Sequence, residues 1–336
     1  MTKSLASDNW SGVHPMVMDA LINANQNHQS AYGEDDYTNY AQDLFRSIFG
    51  AQSSTHFVFT GTAANVLAIE SAAHSFNSVI CSQHAHIHVD ECGALEKHSG
   101  IKIIAIPSQN GKIRPKQIMP HIKTERFPHQ NEAALISITQ STELGTVYTV
   151  SEIKELADLA HKHGLYLHID GARIANAAAS LNIGFKEMLL DTGVDLLSFG
   201  GTKSGLMFGE AIVVLNPKLG KHLELYRKQG MQLSSKMRFI SAQFIALLSN
   251  DLWRTNALHA NKMAQYLAQQ LQQNTQIKIS QKVESNGVWA IIPSSLAAKM
   301  QNKVFFYPWD ENKSEYRFMC SWDTSKEEID HLLKDL

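Results

Sequence analysis

Residues 165–173, Leu-Tyr-Leu-His-Ile-Asp-Gly-Ala-Arg, are an apolar run that ends in a carboxylate, small residues and an arginine. The run 165–169 is too apolar to alternate between buried and exposed faces, which is typical of a strand in a parallel sheet covered on both sides. Asp170 therefore lies at the carboxyl end of a predicted strand, just before a helix. Ligands of open α/β sheets bind outside the carboxyl ends of the strands, so this segment predicts both a fold class and the position of a site.

Similar apolar runs alternate with helical patterns between about residues 55 and 216. The clearest helical period lies in residues 151–163, where apolar side chains share one face and Gly164 follows as a stop signal. This layout favours an α/β fold with a mostly parallel seven-stranded sheet sandwiched by helices. The seven predicted strands are residues 56–59, 78–82, 101–106, 134–139, 165–169, 195–199 and 211–215.

Chain length and a change of pattern near residue 250 predict more than one domain. The 336 residues exceed the length, roughly 250–300 residues, at which a single core stops growing. After a long helical region at 234–273 come apolar runs at 288–292, 304–307 and 316–322 and a final helix from Ser325. The prediction is an N-terminal arm without clear periodicity, a large sheet domain that binds a ligand, and a small C-terminal α+β domain. Their ranges are 1–35, 36–250 and 251–336.

Composition narrows the class of partner. Apolar residues make up 44% of the chain and charged residues 18%, and the formal charge is −2 without a basic block, so neither nucleic acid nor an anionic membrane is an expected partner. No apolar run approaches the ~18 residues of a membrane span, and the start lacks a signal-peptide pattern, so a cytoplasmic protein is expected. Cys81, Cys92 and Cys320 have no zinc-site spacing, and no metal is expected.

Residues 198–205, Ser-Phe-Gly-Gly-Thr-Lys-Ser-Gly, put Lys203 among small residues at the end of another predicted strand. A lysine amine forms a Schiff base with an aldehyde when its surroundings keep enough of it neutral. Taken alone, Lys203 is more simply a solvated loop residue or a phosphate ligand, and Asp170 is more simply a helix N-cap. Together they suggest pyridoxal phosphate (PLP), because a buried carboxylate keeps the pyridine nitrogen of PLP protonated.

Two more segments match the needs of such a cofactor. Residues 57–65, Phe-Val-Phe-Thr-Gly-Thr-Ala-Ala-Asn, read as a strand, a small-residue turn and a helix start, so the amides of Gly61 and Thr62 would cradle a phosphate. Such turns are also common where nothing binds. In residues 85–94, His86 and Asp90 are four apart and would share one helical face, from which the imidazole could stack on a flat ring. The nearby His84 and His88 remain unassigned.

In this order, residues 61–65, 85–94, 168–173 and 200–203 resemble the low-specificity L-threonine aldolases of PLP fold type I, within the β-eliminating lyase/threonine aldolase family. Matches at residues 6–9, 32–35, 236–239 and 317–323 extend the resemblance over nearly the whole chain. It implies the PLP-dependent transferase-like fold. It also implies retro-aldol cleavage of L-threonine, L-allo-threonine and related β-hydroxy-α-amino acids to glycine and an aldehyde. One departure is Gly-Thr-Lys-Ser-Gly around the lysine, where many relatives carry Ser-Lys-Gly-Leu-Gly.

The resemblance also implies roles for single residues. Lys203 would hold the cofactor covalently, Asp170 would pair with the pyridine nitrogen, and His86 would stack on the ring. Three residues would hold the substrate carboxylate, namely Ser7, Arg173 and Arg317, and Arg173 would also adjoin the cofactor. A neighbouring subunit would supply Arg238, with Lys228 as a second candidate, to the cofactor phosphate. The chain is therefore expected to form a homo-oligomer, a dimer or tetramer, with active sites at the subunit interface.

The sequence does not decide which group removes the β-hydroxyl proton. The candidates are His86, Asp90 acting with His86, and a water molecule, and we favour His86 supported by Asp90. Two rival functions also stay open. One is another fold type I PLP activity, such as β-elimination or transamination, and the other is a binding protein that keeps the fold without turnover.

Overall fold

The computed structural model describes residues 4–123 and 127–334 of the chain. Its main feature is a seven-stranded sheet in the order β1-β7-β6-β5-β4-β2-β3, in which β7 runs antiparallel to both neighbours and the other pairs are parallel. Each strand lies within a few residues of a predicted one, so the predicted sheet is confirmed. The strands are β1 (Ser54–Val58), β2 (Asn77–Ser82), β3 (Lys102–Ile106), β4 (Glu132–Thr139), β5 (Tyr166–Gly171), β6 (Leu196–Gly200) and β7 (Glu210–Val214).

Helices cover both faces of this sheet. Alternate strand residues point to opposite sides, so that Phe57 and Ile80 belong to one apolar core while Val58 and Val79 belong to another. Burial on both faces explains why these strands lack polar alternation. The helices up to residue 271 are α1 (Pro15–Ala24), α2 (Asp36–Phe49), α3 (Gly61–Glu70), α4 (His86–Val89), α5 (Ala94–Ser99), α6 (Pro115–Ile118), α7 (Val150–Lys162), α8 (Ile174–Leu181), α9 (Phe185–Met188), α10 (Leu223–Gln229), α11 (Arg238–Leu248) and α12 (Leu252–Leu271).

The C-terminal part forms a smaller antiparallel sheet in the order β10-β11-β9-β8, with its own apolar core. Its elements are β8 (Lys278–Ile279), β9 (Gly287–Ile291), α13 (Ser294–Gln301), β10 (Tyr307–Asp310), β11 (Glu315–Met319) and α14 (Lys326–Leu333). The strand predicted at 304–307 is wrong in position, because Val304 and Phe306 are buried by packing in this core and strand pairing begins at Tyr307. The domain boundary at residue 250 stays a prediction.

The N-terminal segment departs from the expected arm without regular structure. It contains α1, which starts at Pro15 and takes a cap from the His14 side chain. Ahead of α1, the Leu5 amide donates to the Phe305 carbonyl and the Leu5 carbonyl accepts from the Met319 amide of β11. The amide of His14 donates to the Gly205 carbonyl at 2.9 Å. The segment therefore runs from the small domain to the turn that carries Lys203.

None of the helices formed by residues 4–123 and 127–334 is long and apolar enough to cross a membrane. Within the same residues no group of three or more His, Cys, Asp or Glu side chains is arranged to hold a metal ion.

Candidate active site

The candidate site lies at the carboxyl ends of β5 and β6, which are neighbouring parallel strands. Asp170 is the penultimate residue of β5, and Lys203 lies in the short 3-10 turn Thr202–Ser204 that follows β6. The two turns approach so closely that a Cβ on Gly200 would lie 2.4 Å from the Ala172 carbonyl oxygen. Only glycine fits there, so the small residues that mark the lysine segment in the sequence serve the packing of the two turns.

Asp170 is buried, with 6% of its surface exposed, and both carboxylate oxygens accept hydrogen bonds. The Ala172 amide donates to Oδ1 and the Asn65 side-chain amide to Oδ2, each at 3.0 Å. Asp170 is not the N-cap of the following helix, since Arg173 holds that position. Asn65 also donates to Glu91 Oε1 at 2.9 Å, so one amide group joins two carboxylates. Sequence reasoning did not select Asn65, although it lies in a quoted motif.

His86 is held by Glu91 and not by Asp90, which corrects the predicted pairing. His86 Nδ1 lies 2.9 Å from Oε1 of the buried Glu91, and this hydrogen bond raises the pKa of the imidazole against the opposing effect of burial. The physical reason is the length of α4, which is one turn ending at Val89, so that Asp90 follows the helix with its side chain exposed. From the sequence, either of the adjacent residues Asp90 and Glu91 could pair with His86. The position at which α4 ends decides between them.

The N-terminus of α3 presents small residues to open space. Thr60 caps the helix by accepting a hydrogen bond from the Ala63 amide at 3.2 Å, and a Cβ on Gly61 would meet nothing within 4 Å. In the part of the chain that the structure describes, the Gly61 and Thr62 amides donate to no protein acceptor. Free amides at the start of a ten-residue helix fit a phosphate group.

Arg238 and Lys228 lie apart from these groups. Arg238 donates to the Asn27 carbonyl at 3.0 Å and lies 5.0 Å from the Phe239 ring centroid, whereas Lys228 is exposed, 5.1 Å above the Tyr32 ring. Within the chain, Arg238 and Lys228 therefore contact residues outside the candidate site.

A second cluster joins three distant segments around Asp8. Its buried carboxylate accepts hydrogen bonds from Arg173 Nε and Nη2 at 2.7 and 2.9 Å, and from the Asn286 side chain at 3.0 Å. Burial alone would raise the pKa of Asp8, but the Arg173 guanidinium overcomes this effect and lowers it to about 2. The adjacent Ser7 accepts from the Asn9 amide at 3.2 Å. Sequence reasoning missed the role of Asp8 and Asn286, because neither follows a buried strand.

Arg317 extends from β11 towards the same cluster. Its Nη2 donates to the Ala6 carbonyl at 3.3 Å, and its guanidinium lies 5.1 Å from the Trp309 ring centroid and 6.0 Å from that of Tyr307. Burial lowers the pKa of Arg317, and the neighbouring Arg173 adds to this effect. Within the described residues the buried Nε has no acceptor. A buried guanidinium with a free donor fits an anion such as a carboxylate.

Glu210, at the start of β7, binds the backbone just before the turn that carries Lys203. Its Oε2 accepts the Gly201 amide at 2.8 Å, and burial raises the pKa of Glu210 to about 7. The charge of Lys203 also acts on this carboxylate and on those of Asp8 and Glu143. The candidate site thus combines an amine, a buried carboxylate, an imidazole, free helix-start amides and two guanidinium groups. This set of donors and acceptors fits PLP together with an amino-acid substrate.

Comparisons with known proteins agree with this chemistry. The sequence profile of the β-eliminating lyase family matches residues 4–293. Low specificity L-threonine aldolases of a Pseudomonas species and of Pseudomonas aeruginosa are 39% and 38% identical, each over 100% of this chain and 97% of its relative. The structure of Leishmania major threonine aldolase superimposes with a TM-score of 0.92 at 29% identity, covering 99% of this chain and 98% of the other. The chain therefore belongs to the PLP-dependent β-eliminating lyase family, in the branch of the low-specificity L-threonine aldolases.

Proposed function

We propose that this chain is a carbon–carbon lyase that cleaves L-threonine, L-allo-threonine and related β-hydroxy-α-amino acids to glycine and an aldehyde. The observation that carries the proposal is that Lys203, Asp170 and the Arg173–Arg317 pair lie close together at one edge of the sheet. The relatives named L-threonine aldolase, which match over the full chain, support the choice of substrate class.

Three residues would hold the cofactor ring. When bound, PLP supplies an aldehyde that condenses with amines and a ring that withdraws electrons from the substrate. Lys203 would provide the amine that anchors it. Asp170 would hold a proton on the ring nitrogen, because a buried carboxylate raises the pKa of an adjacent base. Asn65 would orient Asp170 through its 3.0 Å hydrogen bond, and His86 would stack on the ring face.

The phosphate would be held by the Gly61 and Thr62 amides, with Arg238 of a second subunit completing the site and Lys228 as the other candidate. Two large apolar side chains support an oligomer, since Tyr32 and Met231 are 52% and 81% exposed close to Lys228. Light scattering of the holoenzyme tests this point. A monomer with full cofactor affinity would contradict the shared site.

The substrate carboxylate would bind to Arg173 and Arg317, with Ser7 beside them. Arg173 keeps part of its guanidinium for a ligand, since only Nε and Nη2 are used by Asp8. Two fixed guanidinium groups would hold the amino acid in one orientation relative to the cofactor, and this orientation decides which bond at Cα breaks. Orientation of this kind selects aldol cleavage over transamination.

Cleavage also needs a group that takes the proton of the β-hydroxyl. The raised pKa of His86 favours the imidazolium form, which donates hydrogen bonds and accepts none. We therefore propose His86 mainly as the stacking residue, with an acceptor role only in its neutral form. Asp90, exposed and unpaired with His86, is the weaker of the predicted candidates, although its charge acts on Arg317.

Incubation of the purified holoenzyme with L-threonine tests the function directly. The expected products are glycine and acetaldehyde in equal amounts, measured by amino-acid analysis and by coupled reduction of the aldehyde. Neither β-elimination nor transamination yields this pair. Formation of ammonia and a keto acid, or absence of turnover with the cofactor bound, would contradict the proposal.

A further inference from the structure

Glu143 lies in a tight turn between β4 and α7, at the edge of the candidate site. The Gly145 amide donates to the Thr142 carbonyl at 2.8 Å, which closes a β-turn with Glu143 and Leu144 as its central residues. Gly145 has a φ of +73°, and a Cβ there would lie 2.4 Å from the Trp289 ring. The backbone conformation of the turn is therefore fixed at Gly145. Glu143 is the ionisable residue at the tip of the turn.

Hydrogen bonds fix this turn on both sides. The Thr142 amide donates to the Thr146 carbonyl at 2.8 Å, and the two threonine hydroxyls are also 2.8 Å apart. From the segment before β9, the Ser285 hydroxyl donates to the Gly145 carbonyl at 3.0 Å, and Glu284 accepts the Val147 amide at 2.8 Å. The position of Glu143 is thus set by the large and the small domain together.

The turn that carries Glu143 follows β4 at the same edge of the sheet as the candidate site, because Thr139 at the end of β4 pairs with Asp170 and the Gln140 amide donates to the Asp170 carbonyl at 2.8 Å. The Glu143 carboxylate interacts electrostatically with Arg173, Asp170, Lys203 and His86, and Glu143 is half-buried. Burial raises the pKa of Glu143, whereas the positive charges of Arg173 and Lys203 oppose this effect and favour the ionised form.

Four buried carboxylates near the site already have partners. Asp170 accepts from Asn65 and Ala172, Asp8 accepts from Arg173, Glu91 pairs with His86, and Glu210 accepts the Gly201 amide. Among the described residues Glu143 has no hydrogen-bond or ion-pair partner. Its oxygens are thus free to bind a group that the chain itself does not supply.

We propose that Glu143 binds the β-hydroxyl group of the amino-acid substrate and accepts its proton as the Cα–Cβ bond breaks. This inference rests on the proposed aldolase function. The electron pair of the O–H bond forms the carbonyl bond of the aldehyde, and the pair of the Cα–Cβ bond stays with the glycine fragment. That fragment takes up one proton at Cα, and Glu143 returns the hydroxyl proton to solvent, so the reaction consumes no proton.

Binding of glycine to the variants distinguishes this role of Glu143 from a structural one. Glycine carries the amine and the carboxylate of the substrate but lacks the β-hydroxyl group. In the holoenzyme, Glu143→Gln should lower kcat/KM for L-threonine at least about 100-fold, the range of a lost acid–base group. The affinity for glycine, read from the absorbance change of the bound cofactor, should stay within about threefold of the wild-type value, as should exchange of the glycine α-proton in D2O. Glu143→Asp, which keeps a displaced carboxylate, should recover part of the loss.

Glu155→Gln is the matched control, because Glu155 is exposed on α7 and undergoes the same chemical change. Threonine cleavage within threefold of wild type in Glu143→Gln would overturn the proposal. So would an equal loss of glycine affinity and α-proton exchange, which would assign Glu143 to the fold or to carboxylate binding. If the wild-type holoenzyme exchanges the glycine α-proton but makes no acetaldehyde from threonine, the proposed function itself fails, whatever the variants do.

Discussion

Asp8 and Arg173, 165 residues apart in the sequence, form a two-point ion pair in which Nε and Nη2 lie 2.7 and 2.9 Å from the two carboxylate oxygens. Asn286 of the small domain donates to the same carboxylate at 3.0 Å. The N-terminal segment, the start of α8 and the small domain therefore meet at one buried charge. Because Arg173 is a proposed ligand of the substrate carboxylate, this pair links domain packing to substrate binding.

Replacement of Asp8 by Asn should both destabilise the protein and raise KM for threonine. It leaves the buried Arg173 guanidinium without its counter-charge, which costs about 3 kcal/mol in comparable pairs. Urea unfolding and steady-state kinetics measure the two effects. Asp43→Asn, which removes an exposed partner of Arg46, is the control and should change stability by less than about 0.5 kcal/mol. An unchanged KM would show that Arg173 is held without Asp8.

The same pair predicts a pH dependence of stability. The folded-state pKa of Asp8, about 2, lies below its usual value of 3.8, so the ion pair stabilises the fold above about pH 4 and is lost as the pH falls towards 2. The difference in unfolding free energy between wild type and Asp8→Asn should therefore shrink by roughly 2 kcal/mol between pH 5 and pH 2. A difference that stays constant over this range would contradict the assignment.

Lys203→Ala should abolish the long-wavelength absorbance of covalently bound cofactor and lower threonine cleavage by more than about 1,000-fold. The reason is that Lys203 is the lysine of the turn Thr202–Ser204, which follows β6. Absorption spectra after gel filtration and an acetaldehyde assay provide the measurements. Lys221→Ala, at an exposed position, should match wild type in both. Retention of colour and turnover in Lys203→Ala would remove the basis of the cofactor assignment.

The partner of His86 can be identified from its titration. Glu91→Gln should lower the pKa of His86, because the hydrogen bond that the imidazole donates to the Glu91 carboxylate is the main cause of the upward shift. Asp90→Asn should produce a smaller change, since Asp90 is exposed and follows α4. NMR titration of histidine-labelled protein, with His86→Gln to assign the signal, compares the two. If the pKa of His86 changes more in Asp90→Asn than in Glu91→Gln, the pairing of His86 with Asp90 predicted from the sequence would be correct.

Glu210 predicts a pH dependence of the opposite sign. Burial raises its folded-state pKa to about 7, so its contribution to stability is full below about pH 4.5 and is lost as the pH rises through 7. Glu210→Gln cannot ionise, so it does not lose stability as the pH rises. The unfolding free energy of the variant minus that of wild type should therefore increase by up to about 3 kcal/mol between pH 5 and pH 8. Denaturation at fixed pH values measures the difference. A flat difference would mean that Glu210 is ionised throughout this range.

Features encoded in short segments could be predicted from the sequence. Apolar runs bounded by small residues located all seven strands of the large sheet, because burial on both faces requires such composition. Asp170 and Lys203 follow two of these runs, so the parallel arrangement alone places them at one edge of the sheet. The fold and the family are confirmed, whereas the residue roles derived from the resemblance remain predictions.

Tertiary structure alone decided how the site is assembled. Glu91 rather than Asp90 meets His86 because α4 ends after one turn, and Asn286 reaches Asp8 across 278 residues because the small domain folds back on the N-terminal segment. The turn that carries Glu143 is fixed by hydrogen bonds from both domains. A sequence pattern reports local burial and chain direction, whereas these contacts depend on the relative placement of segments far apart in the chain.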